Sequence, residues 1–244
     1  MSRSLAGKTA VITGVTSGIG RATTFELCSA NAQVVGIGRN RLRLEELAAE
    51  LGSCFSFIVA DLAHGADRSR AIEALAAHPG PIDVFVSNAA ECAYESPLTV
   101  SSEMMARLFA VNVTASVELC QALVPLMSRG GQIVQLSSVA ARFMPNSRFG
   151  PYAASKAAIE QFTEALRLEL HPRGIQVSLL RPGLVDTAIY DKVDGFAATR
   201  AKLVEQVPKW LEAQDVAEAI RWLLERPPHV VVSELTVLPA GQTR

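Results

Sequence analysis

Neither charge dominates this 244-residue sequence: 23 lysines and arginines stand against 24 aspartates and glutamates, for a formal net charge of −1. That balance, without a long acidic or basic block, removes the electrostatic reason to expect nucleic acid or a membrane surface as partner. No apolar run approaches the ~20 residues of a membrane-spanning helix. The opening stretch MSRSLAGKTAVITG runs straight into a strand pattern without the apolar region or cleavage site of a secretory leader, so a soluble cytoplasmic protein is expected. The only cysteines are Cys28, Cys54, Cys92 and Cys120. They are scattered without metal-ligand spacing, which predicts buried free thiols and no metal. Repeats, low-complexity tracts and linkers are also missing. The length suits one large domain, and residues 1–244 read as a single unit.

What is present is an alternation. Short, nearly continuous apolar runs occur at 9–13, 33–38, 56–60, 83–87, 132–137 and 176–180, with a last one near 230–238. Such runs suit strands covered on both faces, as in a parallel sheet. Helical patterns lie between them. Leucines at 42, 44, 47 and 51 precede a glycine, 101–128 reads as one long apolar helix, and Ile159, Phe162, Leu166 and Leu170 share a face after Tyr152. Seven strands alternating with helices predict an α/β, Rossmann-like, doubly wound parallel sheet with ligands outside the carboxyl ends of its strands.

The stretch TGVTSGIG, residues 13–20, follows the first strand and precedes a helix beginning near Gly18. Free amides and a positive dipole end then meet at one place, which suits a phosphate. Gly14 can take an unusual turn conformation, and Gly18 and Gly20 allow backbone to approach a pyrophosphate.

The spacing T-G-x-x-x-G-x-G resembles that of the short-chain dehydrogenase/reductase family, and further motifs follow in the family's order. Asp61 stands in ADL after the third strand, Asn88 in SNAA after the fourth, Asn112 in FAVNV, Ser138 in VQLSSVAA, and Tyr152 and Lys156 in YAASK. RPGLVDT supplies Pro182, Gly183, Val185 and Thr187. The carboxyl-terminal stretch PPHVVVSELTVLPAGQ resembles a branch of NADP-dependent 3-hydroxy acid and clavulanate-type dehydrogenases. The resemblance implies cofactor contacts from Gly14, Thr16, Ser17, Gly18, Ile19 and Gly20, from Asp61 and Leu62, and from Asn88 and Ala89. Tyr152, Lys156 and the Pro182, Gly183, Val185 and Thr187 segment would complete them. Ser87, Ala90 and Ala141 depart from the family pattern.

Tyr152 and Lys156, four apart at a helix start, lie on one face. An ammonium near a phenol favours phenolate and lowers its pKa, so that the phenol can exchange a proton with a carbonyl or alcohol oxygen. Ser138 would hold that oxygen, and the resemblance gives Asn112 a proton-relaying water. Arg39 follows the second strand, where Gly38 stands in place of the acid of an NAD enzyme; a guanidinium there grips a 2′-phosphate, so NADP(H) is expected, with Arg41 secondary. The substrate loops ECAYESPL, VAARFMPNSRFG and a lid at roughly 187–211 mix Tyr94, Phe143, Met144, Phe149, Ile189, Tyr190 and Phe196 with Arg142 and Arg148. The resemblance to the 3-hydroxy acid and clavulanate-type branch implies a small polar carbonyl or hydroxy acid as substrate; a carrier-linked 3-ketoacyl reductase and a non-catalytic nucleotide-sensing scaffold are the alternatives. Apolar positions on the long helices, among them Met104, Met105, Leu108, Val117, Leu123, Phe162, Leu166 and Leu170, predict a homodimer or homotetramer.

Overall fold

β-branched and aromatic runs too short for helices pair here into one parallel sheet. The computed structural model describes residues 2–191, 193 and 195–243. Its strands are β1 (Thr9–Thr13), β2 (Gln33–Gly38), β3 (Phe55–Val59), β4 (Ile82–Ser87), β5 (Met127–Leu136), β6 (Gln176–Pro182) and β7 (Glu234–Val237). Their spatial order is β3-β2-β1-β4-β5-β6-β7, every neighbouring pair parallel. The order reverses between β1 and β4, which opens the crevice in which such sheets take ligands.

Helices α1 (Gly18–Ser29), α2 (Arg41–Leu51), α3 (Gly65–Ala76), α4 (Ser102–Phe109), α5 (Ala115–Leu123), α6 (Gly150–Leu170), α7 (Ala197–Gln206) and α8 (Ala213–Leu224) complete the fold. Alternation along β1 sends Ala10 and Ile12 into one apolar layer and Val11 into the other, so both sheet faces are covered. Fully burying each such side chain stabilises by about 1.5–3 kcal/mol.

Three expectations need correction. The helix expected over 101–128 is interrupted: α4 and α5 are joined by a π-helical turn at Ala110–Thr114, and a 3₁₀ turn at Val124–Leu126 ends the run. The same stretch, Ser102–Leu126, is also long and apolar enough to cross a membrane by length and composition. Val111, Ala115, Leu119, Cys120 and Leu123 within it are buried in the fold, so much of its apolarity serves the core. The last strand is confined to Glu234–Val237 because it pairs only with β6 and lies half open at the sheet edge. β5 instead begins early, at Met127, which is buried, and its exposed residues 128–130 precede the continuous buried run to Leu136.

Among the described residues no cluster of His, Cys, Asp or Glu could hold a metal, and all four cysteines are free. Cys120 is buried as expected, whereas Cys28, Cys54 and Cys92 are only partly so.

After β6 the chain makes an excursion and returns. Val185 pairs with Leu211, Asp186 N donates to Leu211 O at 2.8 Å, and Leu211 N donates to Leu184 O at 2.9 Å. The excursion thus leaves and re-enters the fold at one point, with α7 at its far side. Of the expected lid at 187–211, Lys192 and Asp194 lie outside the described residues.

Candidate active site

The glycine turn closes the carboxyl end of β1. Gly14 has φ +75°, and a Cβ there would lie 2.9 Å from Asn88 Nδ2; Gly18 has φ +52°. Ser17 gives α1 no side-chain cap, and no acid occupies the first turn. The first amides of α1 therefore stay open to an anion. Gly20 also has a packing task. A Cβ there would collide with the Gly14 carbonyl and Asn88 Nδ2, so its bareness serves helix–strand packing. Thr187 lies over the same turn, its methyl 3.2 Å from where a Gly18 Cβ would stand. Thr16 packs against the end of β2, its methyl 2.9 Å from a hypothetical Gly38 Cβ.

Other expected cofactor positions have structural partners. Thr13 Oγ1 accepts from both Asn88 N and Ala89 N at 2.9 Å, while Asn88 Nδ2 donates to Thr13 O at 2.8 Å. These bonds tie the ends of β4 and β1 together. Ser87, where the family has asparagine, donates to Ser116 Oγ at 2.9 Å, which donates onward to Gln135 Oε1 at 2.8 Å. Ile19 and Leu62 turn their side chains into the two core layers, which leaves their backbones for a ligand. Asp61 Oδ1 accepts from Ala63 N at 3.0 Å. Gly183 N donates to Val237 O, and Leu184 N to Gln242 Oε1, so the segment from Pro182 is held against the carboxyl-terminal residues.

The residues expected to exchange protons meet at the carboxyl end of β5. Ser138 caps the single turn Val139–Ala141, its Oγ accepting from Ala140 N at 3.2 Å, so its hydroxyl proton points elsewhere. Lys156, one turn along α6 from Tyr152, is 3% exposed and donates to the Leu136 carbonyl at 2.9 Å. Burial pulls its ammonium down to a pKa of about 8. Tyr152 shifts opposite to expectation. Loss of solvent around the phenol raises its pKa well above 10, Cys92 and Tyr190 add to the rise, and the Ser138 hydroxyl opposes it. Lys156 Nζ stands 6.0 Å from the ring centroid, bonded to Leu136, and does not offset the desolvation. The Asn112 side chain has structural partners. Its Oδ1 accepts from Glu91 N at 2.8 Å, and its Nδ2 donates to Glu91 O and Ser155 Oγ, each at 2.9 Å. Ser155 Oγ then donates to Tyr152 O at 2.7 Å. Both amide protons are thus spent joining the loop after β4 to α6.

Arg39, expected to be available to a phosphate, is paired: Nη1 donates to Glu91 Oε1 at 2.9 Å and lies 3.9 Å from Asp61 Oδ2. Arg41 sits outside this group, paired with Glu45 at 3.7 Å and 65% exposed. Glu91 and its second partner Arg107 escaped the sequence reading, although an acid directly after SNAA was a signal. A brace behind the site also escaped it. Glu160, one turn beyond Lys156, takes both a bidentate Arg181 and Ser137 Oγ, the latter at 2.9 Å.

Of the expected substrate residues, Tyr94, Phe149, Tyr190 and Phe196 converge with Leu184, Trp210, Cys92 and Tyr152 in one apolar cluster. The rings meet at centroid distances of 4.9–5.8 Å. Burial pushes the Cys92 thiol up to about 12 against the pull of Lys156. Phe143 and Met144, in contrast, are each 51% exposed, and Arg142 turns back to Glu160 and Glu234. Arg148 covers the Tyr94 ring at 4.4 Å.

The family model described as short chain dehydrogenase matches residues 8–196. A serine 3-dehydrogenase of Agrobacterium fabrum is 32% identical over 238 residues, covering 96% of this chain and 95% of its own. A closed form of serine dehydrogenase complexed with NADP+ superposes with a TM-score of 0.88 at 29% identity, covering 97% of this chain and 96% of that one. A 3-ketoacyl-(acyl-carrier-protein) reductase from Brucella melitensis complexed with NADH gives 0.84 at 27% identity, with 96% and 98% covered.

Proposed function

The chain belongs to the short chain dehydrogenase family, and from that premise we propose that it is an NADP(H)-dependent oxidoreductase interconverting a carbonyl and an alcohol on a small metabolite. One observation carries the chemistry: a buried lysine one helical turn from a desolvated tyrosine whose phenol faces the Ser138 hydroxyl. The uncapped amides of α1 and the left-handed Gly18 fit a dinucleotide's phosphates. When bound, the cofactor supplies or accepts hydride at the carbonyl carbon. Ser138 orients the substrate oxygen, and Tyr152 gives it a proton that solvent later restores. The raised tyrosine pKa keeps that proton in place at neutral pH and favours reduction; alcohol oxidation, which needs phenolate, gains at higher pH. Lys156 presents its positive charge to the phenolate and to the cofactor's ribose. Asn112, within the π turn, would steady a water that relays protons toward Lys156.

The aromatic cluster beside Tyr152 supports a substrate with a short apolar part, and Arg148 is the guanidinium nearest its rim for a carboxylate. A 3-hydroxy acid or its aldehyde or keto form fits both, as does the likeness to serine 3-dehydrogenases. A panel of 2-amino-3-hydroxy acids, 3-hydroxy acids and aldehydes, followed by nicotinamide absorbance, tests this. Turnover confined to carrier thioesters would instead favour the ketoacyl reductase reading, which the Brucella structure keeps in view. The whole of 1–244 acts as one catalytic domain in this proposal, with 187–211 as its lid. A cytoplasmic location is part of it, since four free cysteines suit a reducing compartment.

Arg39 carries the cofactor preference. NADPH should bind more tightly than NADH, and Arg39→Ala should weaken NADPH alone. A charged hydrogen bond is worth about 1.5–3 kcal/mol, but Arg39 is 46% exposed and must leave Glu91. The expected loss is therefore about 1–2 kcal/mol, or roughly 5–30-fold in Kd by titration calorimetry. Equal affinities in the unmodified protein would sink the assignment.

Assembly as a homodimer or homotetramer is proposed on narrower grounds than the sequence suggested. Leu108, Leu123 and Leu170 are buried within the chain, and Phe162 and Leu166 pack partly into its core. Met104, 40% exposed on α4, and Leu168, 71% exposed on α6, remain for an isologous contact. Light scattering at micromolar concentration should report twice or four times the 26.1 kDa chain; a monomer would count against it.

A further inference from the structure

Two arginines and two carboxylates meet near the carboxyl end of β1, and only two of the four, Arg39 and Asp61, have an expected part in holding the cofactor. β2 and β4 flank β1 in the sheet. Arg39 directly follows β2, and Glu91 stands four residues beyond β4. Their 2.9 Å ion pair therefore bridges the crevice above the glycine turn. Arg107, from α4, holds the same carboxylate with two bonds, Nε to Oε2 at 2.8 Å and Nη2 to Oε1 at 2.6 Å. Asp61 stands behind both, 3.9 Å from Arg39 and 3.8 Å from Arg107.

We propose that Glu91 is a displaceable counter-ion that competes with the 2′-phosphate of NADP(H) for Arg39 and so limits the enzyme's preference for that cofactor. The inference rests on the assignment of Arg39 to the 2′-phosphate. The asymmetry of the bonds makes the exchange feasible. Arg39 contributes one bond to Glu91, whereas Arg107 contributes two, so Glu91 stays neutralised when Arg39 swings to a phosphate. The carboxylate cannot retreat far, because Asn112 holds the Glu91 backbone at both N and O. A phosphate monoester, with close to two negative charges at neutral pH, must then displace one carboxylate from Arg39 while standing near it and Asp61. Like charges at such range repel, and the group is only partly exposed, with Glu91 at 24% and Asp61 at 26%. NADH brings a hydroxyl to that place and meets no such opposition.

The test is a set of binding isotherms for NADPH, NADH and adenosine 2′,5′-bisphosphate. They are measured by calorimetry with the unmodified protein, Glu91→Gln, Arg39→Ala and the double variant. Glu91→Gln should lower the Kd of NADPH and of the bisphosphate by about five- to tenfold and change that of NADH by less than twofold. In the Arg39→Ala background the same substitution should lose most of that gain, since the competition has lost its object. Glu91→Asp keeps the charge but shortens its reach, and should shift NADPH affinity in the same direction by a smaller factor; it serves should the glutamine variant fold poorly. Weaker or unchanged NADPH binding by Glu91→Gln, or equal tightening of both cofactors, overturns the proposal. If the unmodified protein did not prefer NADPH and Arg39→Ala changed nothing, the assignment of Arg39 would fail instead.

Discussion

Tyr152→Phe should lower turnover by roughly 10²–10⁴ while leaving cofactor affinity nearly unchanged. The substitution keeps the ring, which packs against the aromatic cluster with Cys92 and Tyr190, and removes only the phenol oxygen. The backbone carbonyl of residue 152 still accepts from Ser155, so the tie running through Asn112 to the loop after β4 survives. The glycine turn at 13–20 is likewise untouched. A fall in kcat without a change in the Kd of NADPH is therefore the signature of a lost acid, as opposed to a disturbed site. The pH profile should carry the same information. With the phenol held protonated by its dry surroundings, reduction should persist through neutrality in the unmodified enzyme and decline only on the alkaline side. Near-normal turnover of Tyr152→Phe on an accepted substrate would assign the proton to another group, and Tyr190, which shares the cluster, would be the first to examine.

Much of this site was legible because its parts are local in sequence. A strand, three glycines and a helix start within twelve residues determine the phosphate turn, and Tyr152 and Lys156 share one helical face whatever surrounds them. The number of strands and their parallel, doubly wound arrangement followed from alternation for the same reason, whereas their spatial order is a property of distant pairings. The features that escaped are contacts between distant segments. Nothing in FAVNV announces that Asn112 spends both amide protons on Glu91 and Ser155, because that depends on how a π turn aims it. Arg39 is visible as a cation, but its pairing with Glu91 joins residues 52 positions apart. The direction of the tyrosine shift was misjudged for a related reason. A neighbouring ammonium can be inferred from spacing, whereas the burial of the phenol, and the further rise from Cys92 and Tyr190, depend on segments that arrive from elsewhere in the chain.

Lys156→Met should abolish most turnover and yet stabilise the cofactor-free protein at neutral pH. The lysine is almost fully buried, and its pKa of about 8 in the fold compares with an ordinary 10.5. At pH 7 it is charged in both folded and unfolded chains, but the charge is less well solvated in the fold. The difference in pKa corresponds to about 3 kcal/mol of lost stability. Methionine has a similar reach without the charge; against this, the Leu136 carbonyl loses its donor, at a cost of about 1 kcal/mol. The net expectation is about 1–3 kcal/mol of stabilisation near neutrality, measured by urea denaturation. Its pH dependence identifies the cause. Between pH about 8 and 10.5 the unfolded chain binds a proton that the folded chain has released, so the unmodified protein gains stability as pH rises through that window. The advantage of Lys156→Met should shrink across the same interval and above it give way to the cost of the lost Leu136 bond. An advantage independent of pH would mean better packing, not relief of a buried charge. A destabilised variant at pH 7 would mean that the ammonium is better solvated in the fold than its surroundings indicate. Either result would remove the argument that this lysine is kept, at a cost to the fold, for what its charge does beside Tyr152.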